Sequence, residues 1–545
     1  MDEIEAAVHE LGSAFAAGLE QPGSMQAAVT DSGYSGQTYD MGGDLALIGY
    51  WGETFRAGLV ALRARLRSRE GISGVLVVEL TATRAGDYVV SYSDDLPSLP
   101  ARVVFDDGYR YPNHPKPGMR KPPAAGNDGR PTDPAVLAEV QALVAEFVDR
   151  HTRLRGAPPL YTPGYSEAEI LAVEERLGVR LPEDLRALYR TIHDDTWESG
   201  LLGRFSPAPL EQVVAWYQEQ EGGPGSPRWY GSDDRLSEYD PDGLFEYDPV
   251  VFETYPYGHV RRLSRNDWWV TFAPDYGGND AAVDLDPAEL GAYGQLLMYG
   301  RDVHGPIVYV AASVRHLMRT VLGAMRRAAP GDEDWEWHAV GWSVPDHQWF
   351  VDVGGAALVD EVAAVDDASL IQSAHLRQVG QVRLVDLAGL PHLRSIWVLD
   401  SRQKAEHVDL SIPPGAPVEQ VHVQAERFEP RRLAATPTLA YVTLGGNSEP
   451  VSVAALADLP NLVRLDLAEA TVSDVGAIAM FPALRVLSLN PHQWAELLGT
   501  GWTPNRLAGV ELGGHASLAE AAAWLTAMPG AGHAAVRYRT IRGRR

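Results

Sequence analysis

Cysteine is absent from all 545 residues. That excludes disulfides, thiol catalysis and every zinc or iron–sulfur site with cysteine ligands. Lysine is nearly absent: Lys116, Lys121 and Lys404 are the whole set, a compositional bias towards arginine rather than a functional trait. Basic charge is in deficit, with 46 Lys+Arg against 73 Asp+Glu and a net charge of −27. Such a surface repels nucleic-acid phosphates and favours basic partners, so no nucleic-acid partner is expected. No apolar run reaches membrane-spanning length, and the opening MDEIEAAVHELGSAFAAG is acidic where a secretory leader is basic. The expectation is a cytoplasmic protein with no membrane partner. The sequence also lacks His-Glu-x-x-His, Gly-x-Ser-x-Gly and a P-loop, so no enzyme activity, cofactor or metal is expected.

What is present is an ordinary globular composition, 45% hydrophobic and 22% charged, in a chain long enough for several cores. The patterning predicts an α+β multidomain fold. Residues 1–111 read as a small N-terminal α+β domain, with a helix over Phe55–Leu66 and strands over Gly74–Thr81, Tyr88–Ser93 and Arg102–Phe105. Residues 112–134, rich in Pro, Gly and charge, read as a solvated linker, and the basic RYRTIRGRR near the end as a solvated tail. A second α+β domain is expected over 135–325 and a connector over 326–375. Over 376–545 a Pro-x-Leu-x-x-Leu-x-Leu motif recurs. Pro391, Pro437, Pro460 and Pro482 each open a copy, Pro417 opens a weaker one, and Leu507, Val510 and Leu512 form the last. A spacing of about 20–26 residues predicts a leucine-rich-repeat α/β solenoid, in which alternate side chains of each strand enter a shared core.

The segment Ser166–Tyr189, SEAEILAVEERLGVRLPEDLRALY, reads as helix, Gly corner, Leu-Pro and helix. Ile170, Val173 and Leu177 share one helix face, Gly178 suits a left-handed C-terminal position, and Pro182 suits the start of the next helix. Glu167, Ile170, Glu174, Leu177, Gly178, Leu181, Pro182, Leu185 and Tyr189 follow the Glu-x-x-Leu-Gly-x-x-Leu-Pro pattern of the SUKH superfamily, which this region resembles. Phe272-Ala273, Asp275, Gly277, Gly278, Asp284 and Gly294-Gln295 resemble a second family block, and Ala311-Ala312-Ser313 a third. The run His193–Glu198 and the long stretch from Gln218 to Val250 depart from the family pattern. The resemblance implies a SUKH-like α+β domain that binds proteins without catalysis. In bacteria, such domains look like immunity modules against toxins, often nucleases.

The best site candidate is the acidic aromatic stretch SDDRLSEYDPDGLFEYDPVVFE, Ser232–Glu253. Asp233, Asp234, Glu238, Asp240, Asp242, Glu246 and Asp248 alternate with Tyr239, Phe245 and Tyr247. Carboxylates with aromatic anchors suit a basic cleft, charge speeding encounter and rings supplying desolvated contacts. The expected partner is a basic toxin domain. Glu238 to Pro249 also imitates an EF-hand loop, but proline occupies the place of the bidentate carboxylate, which argues against calcium. Gly277-Gly278, surrounded by aspartates and without a nearby lysine, reads as a strand turn, and His193 beside Asp194 and Asp195 as an exposed helix end. The alternative function is a cytoplasmic scaffold or regulator binding an endogenous partner through the repeats.

Overall fold

Three large hydrophobic cores organise the computed structural model. It describes residues 3–19, 22–30, 34–39, 46–71, 74–96, 100–114, 128–195, 198–221, 250–300, 307–329, 350–355, 358–361, 367–386, 389–398, 404–410, 412, 414–532 and 536–545. In the N-terminal unit, Ile4, Val8, Leu11 and Phe15 recur at helical spacing, and α1 (Glu3–Gly18) buries them. Helix α1 lies with α2 (Ala46–Glu70) on an antiparallel sheet of β1 (Gly23–Val29), β2 (Tyr34–Tyr39), β3 (Leu76–Ala82) and β4 (Asp87–Ser93). The sheet order is β2-β1-β3-β4, and a fifth strand, β22 (Arg539–Arg544), completes it beside β4.

The central unit contains α3 (Pro134–Arg155), α4 (Glu167–Leu177), α5 (Glu183–Thr191), α6 (Leu210–Glu221) and α7 (Val314–Arg327). Its sheet is formed by β6 (Thr254–Tyr255), β7 (Trp269–Pro274), β8 (Asn279–Asp284), β9 (Gln295–Gly300) and β10 (Ile307–Ala311), in the order β6-β10-β9-β8-β7. Ile170, Leu177, Leu185 and Leu188 meet Val270, Phe272, Val283 and Leu296 in one core, and Trp268 and Trp269 are buried.

The corner between α4 and α5 explains the sequence pattern physically. Ser166 and Glu169 close a capping box, and Gly178 stands at φ 73°, where a Cβ would be strained. Glu174, wholly buried, accepts a hydrogen bond from the Leu181 amide at 2.8 Å and from Arg186 Nη1 at 2.5 Å. Arg186, also wholly buried, is further held by Glu167 and by Thr132 Oγ1 at 3.2 Å. Glutamate is thus needed at 174 because its carboxylate caps the backbone at the bend and neutralises a core guanidinium. Arg180 adds a surface-side link to Asp128 at 3.1 Å.

The last unit is a leucine-rich-repeat solenoid. Strands β11 (Phe350–Gly354), β13 (Ser373–Arg377), β15 (Ser395–Val398), β17 (Gln420–Gln424), β18 (Tyr441–Gly445), β19 (Arg464–Asp466), β20 (Val486–Leu489) and β21 (Gly509–Leu512) run parallel, each bonded to the next. A narrower sheet of β12 (Leu358–Glu361), β14 (Gln381–Asp386) and β16 (His407–Val408) accompanies them. Short 3₁₀ turns over Pro430–Ala435, Ala454–Asp458 and Val475–Met480 return the chain between later strands, and α8 (Pro491–Gly499) and α9 (Leu518–Ala527) do so near the end. The repeated residues Leu439, Val442, Leu444, Leu462, Leu465, Leu467, Leu484, Leu487 and Leu489 fill the core.

Three expectations differ from this arrangement. The strand expected over Arg102–Phe105 in the N-terminal sheet is β5 (Ala101–Val104), and it pairs antiparallel with β21, placing Ala101 and Val103 in the solenoid core. Arg102 meets Glu511 at 2.8 Å across that pairing, both nearly buried. The RYRTIRGRR tail, expected to be solvated, contains β22. The first strand of the solenoid sheet forms at residue 350, within the expected connector.

Candidate protein-docking surfaces

Asp233, Asp234, Glu238, Tyr239, Asp240, Asp242, Glu246, Tyr247 and Asp248 all lie outside the described residues. Val213, Val214 and Tyr217 of α6 belong to the central core, whereas Val250 and Val251 are buried against the solenoid with Tyr441, Val486 and Ala508. The acidic stretch therefore leaves from one unit and rejoins the chain at a seam with another.

That seam lies across the outward face of the solenoid sheet. Glu253 accepts a hydrogen bond from Ser395 Oγ at 2.7 Å, and burial pushes its carboxyl up to about 7. Gln372 donates to the Thr254 carbonyl at 2.7 Å. Arg262 grips Glu419 with two bonds, at 3.1 and 2.6 Å, and Arg394 reaches the same carboxylate at 2.6 Å. Tyr257 stacks on His392 with centroids 3.5 Å apart. The first residues of the Pro-rich stretch also enter the seam. Tyr111 and His114 are buried, His114 meets the Phe252 ring at 5.0 Å, and Asn113 donates to the Val250 carbonyl at 3.2 Å. Among the described residues of the expected linker His114 and Thr132 are buried, whereas 112, 128–131, 133 and 134 stay exposed.

Beyond the covered strip, ring side chains line up across the strands. Phe350, His375, Trp397 and His422 follow one another, with Trp397 and His422 parallel at 3.7 Å. Tyr441 meets His422 edge-on, and Arg464 stands 4.6 Å over the Tyr441 ring. Burial lowers His422 to about 3, so it is neutral at physiological pH and acts as a flat packing surface.

The central unit has a second, open face. Its residues 164–320 match the model of the SMI1 / KNR4 family (SUKH-1). They form a SUKH-1 domain. Over 141 residues the chain is 28% identical to the "Cell wall biosynthesis/cell cycle regulator smi1" of Schizosaccharomyces pombe, covering 26% of this chain and 27% of that protein. Over 69 residues it is 33% identical to a "Glucan synthesis regulatory protein" of Neurospora crassa, 13% of each chain. A "KNR4/SMI1 homolog" of Yarrowia lipolytica is 35% identical over 69 residues, 13% of this chain and 10% of that one. The chain thus spans about a quarter or less of the curated relatives it matches. The structure of internalin C2 from Listeria monocytogenes superposes with a TM-score of 0.18 at 13% identity, over 23% of this chain and 64% of its own. The solenoid rests on its own strand pairing.

On the open face of the SUKH-1 domain, His193 bonds Asp194 at 2.6 Å and stacks on Tyr165 at 4.4 Å, and Tyr165 donates to Glu211 at 2.8 Å. Tyr276 stands 57% exposed in the β7–β8 turn, with Glu198 and Asp194 close enough to act on its hydroxyl, and Leu160 is 68% exposed. Asp275 builds the turn by accepting from the Gly277 and Asn279 amides, both at 2.8 Å, and from Arg204 at 2.7 Å. Its oxygens are therefore committed, as the strand-turn reading of Gly277-Gly278 requires. Asp195, nearly wholly buried, accepts from the Ser199 amide at 3.0 Å and hydroxyl at 2.7 Å, and burial raises it to about 6. Tyr161 bonds the same Ser199 Oγ at 2.7 Å. The Ser199 hydroxyl is thus committed to Asp195 and Tyr161. Among the described residues no group of three His, Asp or Glu side chains could hold a metal, and no helix is long and apolar enough to cross a membrane. In sequence, the only signal for this face was the departure from the family pattern at His193–Glu198; Tyr276 gave none.

Proposed function

We propose that this is a non-catalytic cytoplasmic protein whose SUKH-1 domain neutralises a cognate bacterial toxin, a basic domain of the nuclease kind. The observation that carries this reading is charge chemistry concentrated on one domain. The stretch from Asp233 to Asp248 alternates carboxylates and tyrosines, in a chain of net charge −27. Tyr276 offers an exposed aromatic anchor under the influence of Asp194 and Glu198, and Leu160 is a further exposed apolar side chain. Rings provide contact area, and the carboxylates steer a cationic cleft towards it.

The test is co-expression with toxins encoded beside this gene, followed by binding kinetics. Replacing Asp240, Asp242 and Asp248 together by lysine should slow association at least about tenfold at low salt and abolish rescue. Tyr276→Ala should cost about 2 kcal/mol of affinity, mainly as faster dissociation. Failure of every neighbouring toxin to bind would sink the proposal.

The second reading, a scaffold that binds an endogenous protein through its repeats, has less support. Much of the sheet face where such a ligand would sit is covered by Val250–Thr254 of the same chain. A repeat-mediated complex with association insensitive to ionic strength would favour it.

A further inference from the structure

Strand β22 is held on the N-terminal sheet by a backbone ladder, by polar ties to Asp87, Ser91 and Asp95 and by a glycine–tyrosine socket, with little apolar burial. Its six residues pair in register with β4, from Arg539 opposite Tyr92 to Arg544 opposite Asp87. Gly543 faces Tyr88, and a Cβ on Gly543 would run into the Tyr88 ring. The same ring is also accommodated by Gly12 of α1, where a Cβ would collide with it. The Tyr88 hydroxyl is fixed by His9 Nδ1 at 2.8 Å. The entry is fixed too: Ser93 Oγ donates to the Arg537 carbonyl at 2.7 Å, and Asp95 takes both the Arg537 amide, at 2.9 Å, and its guanidinium, at 3.0 Å. That pairing holds the Asp95 carboxyl below its ordinary range. Ile541, half-buried, is the one β22 side chain packed on the core.

We propose that the edge of β4 is a strand-acceptor site for an extended, arginine-flanked segment with glycine opposite Tyr88, and that β22 fills it in cis as a releasable latch. Recognition has three parts: a backbone ladder that any strand could make, the Tyr88 socket that admits only glycine, and Asp95 and Asp87 at the ends, which select arginine. Release is local because so little apolar surface is committed. A tethered strand competes at an effective concentration in the millimolar range, so the closed form dominates in the free protein.

The test uses the full chain and a fluorescent peptide of residues 536–545. Gly543→Val should expel the latch, since valine otherwise suits a strand. The variant should bind the peptide at least about tenfold more tightly than the wild-type chain, whose site is occupied. A peptide carrying the same Gly→Val change should not bind. Trypsin should cut after Arg539 and Arg542 about tenfold faster in the variant. Asp87→Ala with Asp95→Ala should speed cleavage without touching the socket, and, added to Gly543→Val, should weaken peptide binding, because the same carboxylates hold the peptide's arginines. Equal peptide binding by variant and wild type, or unchanged cleavage in both variants, overturns the proposal. Concentration-dependent dimers that the peptide dissolves would support the acceptor site, with a second copy as occupant.

Discussion

Glu174 shows how a residue can be conspicuous in sequence while its role is not. Its place in the Glu-x-x-Leu-Gly-x-x-Leu-Pro pattern is legible, but Arg186, its ion partner twelve positions on, is not, because pairing depends on how two helices meet. Removing one buried charge strands the other. Arg186→Met alone should therefore destabilise the SUKH-1 domain by about 3–5 kcal/mol in urea unfolding, while Arg186→Met with Glu174→Gln should recover much of the loss. Protonation gives a second test. Glu253 and Asp284 are each raised to about 7 by burial. A carboxyl raised in the folded state contributes stability that is fully present below its unfolded value, near 4, and is lost as pH rises through 7. His422 runs the other way: its contribution is present above about 6.5 and lost as pH falls towards 3. Two carboxyls outweigh one histidine, so unfolding free energy should decline from about pH 4 to 7, and Glu253→Gln should flatten that slope by up to about 1.4 kcal/mol per unit.

Among the elements, the repeats were the most legible because Leu439, Leu462 and Leu484 recur with the same offsets to their strands, and each lies in the solenoid core. Leu465→Ala, at a wholly buried position, should cost about 2–5 kcal/mol by denaturant unfolding. The strand at Phe350–Gly354 lacks the Pro-x-Leu opening and so reads as connector. Strand β5 was recognisable as a strand but not as part of the solenoid. Four residues record their periodicity; they do not record a partner some 400 positions away. The same limit hid β22, whose side chains stay largely exposed while its backbone pairs with β4.

At the scale of the whole molecule, the seam decides which surfaces remain for partners. It was invisible in sequence because Val250–Thr254 and Tyr111–His114 belong to different segments and meet only on a third unit. Val250→Asp should place an unpaired charge among Val486, Tyr441 and Ala508. We expect faster hydrogen exchange along the outward solenoid face, with the SUKH-1 core still protected, as measured by mass spectrometry.

The exchange of β5 and β22 also sets a timetable for making the protein. Residue 101 is synthesised 408 positions before residue 509, the start of the strand that β5 joins. At 5–20 residues per second, that interval is roughly 20–80 s. Throughout it, β5 has no partner and the β4 edge awaits residues 539–544, so two strand edges stand open on the growing chain. Ribosome-bound intermediates stalled before residue 509 should therefore recruit chaperones at the N-terminal unit, and release should be complete only after residues 539–544 are made.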